Sequence, residues 1–243
     1  MFLYLKSLLI WTGVGLLALT VIPFVLLPLA LASYYTPTRR LFYKTTSWFC
    51  RCILAIVGIK IHSFGNRELL QQEPAIIIMN HSSSLDIPLL EALMAGAPFV
   101  WLSKASYLKI PIAGTVLRRM HVVVDRLHSA QAGKSLASFV EKAERFNAHM
   151  LMFPEGTRHT DGILHPFKAG FAVAQELTKR SVVPIIVQEL HTILPKHGLV
   201  IASSAKTIKI IIGTPLQPES NESREAFVQR VHSACTCMLS KAL

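Results

Sequence analysis

Apolar positions run along this chain in two different textures. Residues 7–33 form an almost unbroken apolar stretch, and no charged residue stands between Lys6 and Arg39. A bilayer crossing needs roughly 20 such residues, so the stretch is long enough to span. Pro23 and Pro28 predict a kink or a break, which leaves a bent span and a re-entrant hairpin as the two forms. Residues 41–59 are apolar but interrupted by Lys44 and Arg51, one heptad apart and so near one helical face. Two readings fit: an interfacial helix with Trp48 and Phe49 at headgroup depth, or an amphipathic helix packed on a core.

From residue 60 the pattern alternates. Strand-like runs occupy 59–64, 75–79, 99–103, 121–125, 149–153, 182–187 and 207–213. Several are continuously apolar, as in sheets covered on both faces. Helical patterns occupy 84–95, 105–119, 129–147, 168–179 and 221–241. The β-α-β-α order predicts an α/β fold with a mixed, largely parallel sheet flanked by helices, preceded by a membrane-associated helical segment. The expected domains are an N-terminal anchor, 1–58, and a catalytic domain, 59–243.

Composition sharpens this picture. Hydrophobic residues make up 51% and charged residues 16%, yet the formal net charge is +11. A chain both apolar and basic suits an anionic membrane surface or an anionic substrate. Nucleic acid is not expected, because no basic stripe with interleaved aromatics is present. The sequence A30-L-A32 has a small-x-small spacing, but the apolar stretch far exceeds the roughly 7–15 residues of a signal peptide, and a retained anchor is expected. Arg39, Arg40 and Lys44 follow the stretch against Lys6 before it, which places the bulk of the protein on the cytoplasmic face, of the inner membrane if the cell is bacterial. Cys50/Cys52 and Cys235/Cys237 are C-x-C pairs without zinc spacing and read as free thiols in a reducing compartment. His62, His128, His149, His165, His191, His197 and His232 are scattered without ligand spacing, so no metal is expected and they read as surface or structural residues.

The segment NHSSSLD, residues 80–86, follows an apolar strand. His81 and Asp86 are five positions apart and would point about 140° from each other on a regular helix, at about 100° per residue. They converge only in a turn from a strand into a helix, which Asn80 and the serines favour. There Asp86 accepts from Nδ1 of His81 and leaves Nε2 as a base. The plain alternative is that the segment only caps a helix. A second segment, FPEGTR at 153–158, puts Glu155, Gly156, Thr157 and Arg158 at the carboxyl end of another strand. Ligands bind open α/β sheets at such ends. Gly156 admits close backbone approach, and Arg158 offers a planar fork for a phosphate.

NHSSSLD followed some seventy residues later by FPEGTR resembles the glycerolipid acyltransferases of the 1-acylglycerol-3-phosphate (lysophosphatidate) acyltransferase family. The resemblance extends over most of residues 60–215. The block 101–126 resembles the family's second motif, with Lys104, Pro111, Gly114, Asp125 and Arg126 in order, and PFKAG (166–170) resembles the segment just beyond the family's third motif. The apolar, proline-containing 182–187 resembles the fourth. The resemblance implies that His81 is the general base and that Asp86 orients it. Arg126 and Arg158 would hold the acceptor phosphate, with Lys104 or Lys168, while Glu155 and Gly156 shape the acceptor site. The reaction implied is acyl transfer from acyl-CoA or an acyl carrier protein thioester to the free sn-2 hydroxyl of 1-acylglycerol-3-phosphate, yielding phosphatidic acid. The alkoxide attacks directly, without an acyl-enzyme, and no cofactor or metal beyond the thioester co-substrate is implied.

The chain departs from the family pattern at His121, where a small residue is more frequent, and at His159, where a serine is common. A second proline of the fourth motif is also missing. These positions bear on the acceptor pocket, and hence on whether another lysolipid, such as a lyso-ornithine lipid or a lysophospholipid with a larger headgroup, is the acceptor. A serine hydrolase would want a G-x-S-x-G elbow, which is absent. A non-catalytic lipid-binding protein would have no use for a His–Asp turn beside an Arg-bearing loop.

Overall fold

The computed structural model describes residues 2–124, 129–195, 198–202 and 206–240. Seven strands build a mixed, largely parallel sheet flanked by helices. The chain divides into two compact units. Met1–Ser7, Val57–Ile87 and Leu151–Leu243 form the first, and Leu8–Ile56 with Pro88–Met150 form the second.

The apolar N-terminal stretch is helical throughout. Helix α1 (Phe2–Val21) runs into a π-helical turn (Ile22–Leu26) and then α2 (Leu27–Leu31). Pro23 and Pro28 cannot donate into the helical ladder. The π turn takes up the missing donor, so the kink expected at Pro23 becomes a change of helical pitch. Leu3–Leu31 is long and apolar enough to cross a membrane, with a mean hydropathy of 2.5, and only 17% of its window is buried.

In the first unit, β1 (Ile59–Phe64), β2 (Ile76–Met79), β6 (Val182–Val187) and β7 (Lys206–Ile212) align in the order β1-β7-β6-β2. β1 runs parallel to β7 and β2 parallel to β6, while β6 and β7 are antiparallel. Every residue of β2 and β6 is buried, which is why both read as unbroken apolar runs. β1 alternates buried and accessible positions, as an edge strand with one solvated face does. Helices α7 (Gly170–Thr178) and α9 (Arg224–Ser240) cover β2 and β6. Gly65 closes β1 with φ +89°, and a Cβ there would lie 2.1 Å from the carbonyl oxygen of Ile212.

The second unit is mainly helical. It contains α3 (Thr36–Val57), most of α4 (Asp86–Met94), α5 (Ala113–Met120), α6 (Ser129–Phe146) and the parallel pair β3 (Phe99–Lys104) and β4 (Val122–Val124). One face of α3 is core-packed. Phe42, Tyr43, Phe49 and Cys50 are buried, and Tyr43 meets Phe99 with ring centroids 5.3 Å apart. Trp48 on the opposite face is half exposed. Ser47 ties α3 to α4, its Oγ donating to the Glu91 carbonyl (2.6 Å) and accepting from Gly96 N–H (2.9 Å).

The single helix expected over 105–119 is two elements. A 3-10 turn (Ala105–Lys109) precedes α5. Pro111 disfavours helical geometry at Ile110 and lacks a donor, so the helix restarts beyond it. Lys142 caps α5, its Nζ donating to the carbonyls of Arg118, Arg119 and His121 (3.0, 3.4 and 2.6 Å). His121 is buried beside that ammonium, and burial first, then the Lys142 charge, lowers its pKa to about 3. It is a neutral core residue at every physiological pH.

β5 (His149–Met152) completes the strands, and a one-turn helix, α8 (Leu190–Ile193), follows β6.

Glu91 is the buried acid of the second unit. Desolvation raises its pKa from 4.5 to about 7, although hydrogen bonds from Thr46 and Cys50 partly offset this. Because the folded-state value lies above the unfolded one, the fold is favoured below about pH 4.5 and loses stability as pH rises through 7. The total is on the order of 3 kcal/mol, at about 1.4 kcal/mol per pKa unit. Glu91→Gln therefore flattens the thermal midpoint between pH 5 and 8 in detergent solution, and unchanged slopes would contradict this. Gly65→Ala meets both a left-handed φ and a backbone clash, and lowers stability by roughly 2 kcal/mol or more in the same melts.

Candidate active site

The site is assembled within the first unit by two loops that leave β2 and β5. At the end of β2 the backbone ladder stops, and the side chain of Asn80 continues it. Its Nδ2 donates to the carbonyl of Val187 (2.9 Å), and its Oδ1 accepts from Val187 N–H (2.8 Å). The chain then turns through the three serines into α4, whose first residue is Asp86.

Asp86 is fully buried, and its Oδ2 accepts three bonds. The donors are Nδ1 of His81 (2.6 Å) and the backbone N–H groups of Ser82 and Ser83 (2.8 Å each). A carboxylate at the head of a helix also has the favourable dipole. Because this oxygen accepts, Nδ1 carries the proton and Nε2 presents its lone pair. The ring of His81 lies on Phe153 at 4.0 Å between centroids and 19° between planes, which holds its remaining torsion. His81 is 13% exposed, enough for a substrate to reach.

Glu155 is buried and holds two loops together. Its Oε1 accepts from His81 N–H (2.9 Å), and its Oε2 accepts from His165 N–H (3.2 Å). His159 N–H in turn donates to the His81 carbonyl (2.9 Å). The His81 peptide is thus fixed on both sides by the FPEGTR loop. Arg158, half-buried, directs Nη1 to Ser84 Oγ, and Thr157 is exposed beside it. Gly156 has φ +76°, a conformation that favours glycine, and a Cβ there would lie 2.9 Å from Nζ and Cε of Lys168, which crosses the loop at that point.

His81, Asp86, Glu155, Gly156, Thr157, Arg158 and Lys168 accordingly gather in one place. Lys104 ends β3 in the second unit, and Arg126, like Asp125, His128 and His197, lies outside the described residues. Two of the three serines have other work. Ser83 is fully buried with Oγ donating to the Leu194 carbonyl (2.7 Å), and Ser84 partners Arg158.

A cavity of about 320 Å³ opens beside the base, lined among others by His81, Glu155, His159, Leu164, Gln188 and His191. His191, expected as a surface or structural residue, is one of its walls. The loop after Arg158 folds back and brings His159, Asp161 and His165 together, with ligand atoms within 4.8 Å of one another. The turn at Asp161 and Gly162 that does this is visible in the structure and not in linear spacing.

A family model described as Acyltransferase matches residues 60–188, more than half of the chain. The chain belongs to the acyltransferase family. Both site loops lie inside the matched region. Among similar proteins is the 1-acyl-sn-glycerol-3-phosphate acyltransferase LPAT1, chloroplastic, of Arabidopsis thaliana, 31% identical over 213 residues, covering 85% of this chain and 57% of that one. The 1-acyl-sn-glycerol-3-phosphate acyltransferase of Cocos nucifera is 28% identical over 75% of this chain and 59% of its own. This chain thus spans under two thirds of the length of those two relatives. The crystal structure of the 1-acyl-sn-glycerophosphate (LPA) acyltransferase PlsC from Thermotoga maritima superposes with a TM-score of 0.82 at 21% identity, covering 99% of this chain and 97% of that one. It shares the fold of this acyltransferase.

The geometry separates roles that adjacency in sequence does not. His81→Ala and Asp86→Asn each lower acyl-transfer kcat by roughly 10²–10⁴, the range for a positioned general base, with unchanged circular dichroism. Ser83→Ala instead lowers the melting temperature and leaves most of kcat. A dead Ser83→Ala enzyme of normal stability would overturn the assignment.

Proposed function

We propose that the protein transfers an acyl chain from a thioester, acyl-CoA or acyl carrier protein, to the free sn-2 hydroxyl of 1-acylglycerol-3-phosphate, giving phosphatidic acid. The observation that carries this reading is the buried Asp86 locked on Nδ1 of His81, with the Arg158-bearing loop bonded to the same histidine's backbone. Relatives bearing this activity in their names support the choice of substrate.

In this reading Nε2 of His81 takes the hydroxyl proton as the oxygen attacks the thioester carbonyl. The C–O bond forms, the C–S bond breaks, and the thiolate leaves with the proton that His81 then carries. Asp86 stabilises the transient imidazolium without itself being protonated. The guanidinium of Arg158 matches a phosphate monoester in a bidentate fork, and Lys168 adds a point charge beside it. The resemblance of residues 101–126 to the family's second motif implies the acceptor phosphate as the ligand of Arg126 and Lys104 as well. The steps run on the chain's own side chains and the thioester co-substrate. The exposed apolar helix Leu3–Leu31 holds the enzyme in the membrane that supplies its lipid acceptor, with the basic residues after it on the cytoplasmic side.

The test supplies the detergent-solubilised protein with lysophosphatidic acid and either acyl donor. Free thiol and phosphatidic acid should appear in equal amounts. Thiol release without a lipid product, or faster transfer to lysophosphatidylcholine or a lyso-ornithine lipid, would overturn the acceptor assignment. Arg158→Ala should raise the acceptor KM by roughly 10-fold or more, the worth of a charged hydrogen bond, and leave the donor KM nearly unchanged. Equal effects on both would remove Arg158 from the phosphate site.

A further inference from the structure

The loop after Arg158 carries a side-chain set that takes no step in the proton transfer proposed above. His165 Nε2 and Asp161 Oδ2 are 2.7 Å apart, and the His159 and His165 rings stack with centroids 3.6 Å apart and planes 15° apart. One ligand atom from each of the three residues lies within 4.8 Å of the other two. Asp161 Oδ1 accepts from Ile163 N–H (3.2 Å), which orients the carboxylate toward His165.

We propose that His159, Asp161 and His165 form a binding site for a first-row divalent transition cation of the Zn²⁺ or Co²⁺ class. Two imidazoles and one carboxylate are a borderline-soft donor set that such ions prefer, whereas Mg²⁺ and Ca²⁺ want oxygen alone. The His165–Asp161 bond is a proton held between an imidazole nitrogen and a carboxylate oxygen. A cation with bonds of about 2.0–2.1 Å needs those atoms about 3 Å apart, so it takes the proton's place with little movement. The His165 proton moves to Nδ1 through solvent, and the tautomer change leaves the ring neutral. His159 completes the set when its ring fans out of the stack, closing a gap of about 1–2 Å.

The location gives the site a consequence. His159 N–H bonds the His81 carbonyl and His165 N–H bonds Glu155, which itself accepts from His81 N–H. A cation joining the two imidazoles therefore braces the backbone frame behind His81, while its remaining coordination positions stay open to water or an anionic oxygen.

Titration of the full-length, detergent-solubilised protein with Co²⁺ alone tests this, with no acyl substrate present. The expected result is a one-to-one visible ligand-field band that Zn²⁺ abolishes and Mg²⁺ does not. Zn²⁺ should also raise the melting temperature. Asp161→Asn, which leaves an exposed polar side chain, and His165→Leu should each weaken Co²⁺ binding by roughly 100-fold, at the upper end of what loss of even an outer-shell partner costs. Only the spectrum of the hydrated ion, or a band of undiminished affinity in both variants, would overturn the site. Because the readout is binding, either result leaves the acyl-transfer reading to be judged by its own assay.

Discussion

One oxygen atom organises the chemistry of this protein. Oδ2 of Asp86 draws in an imidazole N–H and two consecutive backbone N–H groups, all within 2.8 Å. Those bonds bend residues 81–85 into a turn that no regular helix or strand would supply. They also explain why a fully buried carboxylate is tolerated, since an ionised group without such partners costs several kcal/mol to bury. Residues at the end of a strand and the start of a helix are thereby made to face each other. The His81–Asp86 pair is a product of the turn as much as of the two side chains.

The second acid, Glu155, extends that control across the sequence. Its two oxygens separately accept backbone N–H groups from residues 74 positions before it and 10 positions after it. The Arg158-bearing loop and the histidine are held in register by a carboxylate that accepts from a backbone N–H on either side. Glycine at 156 supplies the positive φ of that loop where the Lys168 side chain passes over it. A cationic corner, Arg158 and Lys168, forms on the loop that is bonded to the His81 backbone.

Much of this was legible in the linear pattern, for identifiable reasons. Strands buried on both faces must be continuously apolar, so β2 and β6 announced themselves, and β6 begins and ends where expected. The five-residue spacing of His81 and Asp86 demanded a turn, and the structure has one. Other features depend on contacts that spacing does not encode. The break before α5 comes from Pro111, which a helical apolar pattern across 105–119 conceals. Glu91 looks like a solvent-facing position of α4, yet α3 covers it with Cys50, Thr46 and Ser47. The His159–Asp161–His165 cluster needs the chain to reverse at Gly162, so three residues with no ligand spacing meet only after folding.

Asn80 carries a further implication for how this site ages. Its amide is read at both ends, a nitrogen that must donate and an oxygen that must accept, within a single backbone pair on Val187. Hydrolysis of that amide exchanges NH₂ for an oxygen of nearly the same size and leaves the shape of the side chain intact. Yet the new carboxylate oxygen would face the Val187 carbonyl, turning an attraction into a repulsion one residue from the base. An aspartate in place of Asn80, a change of about one mass unit, would thus loosen the strand end from which the His81–Asp86 turn departs.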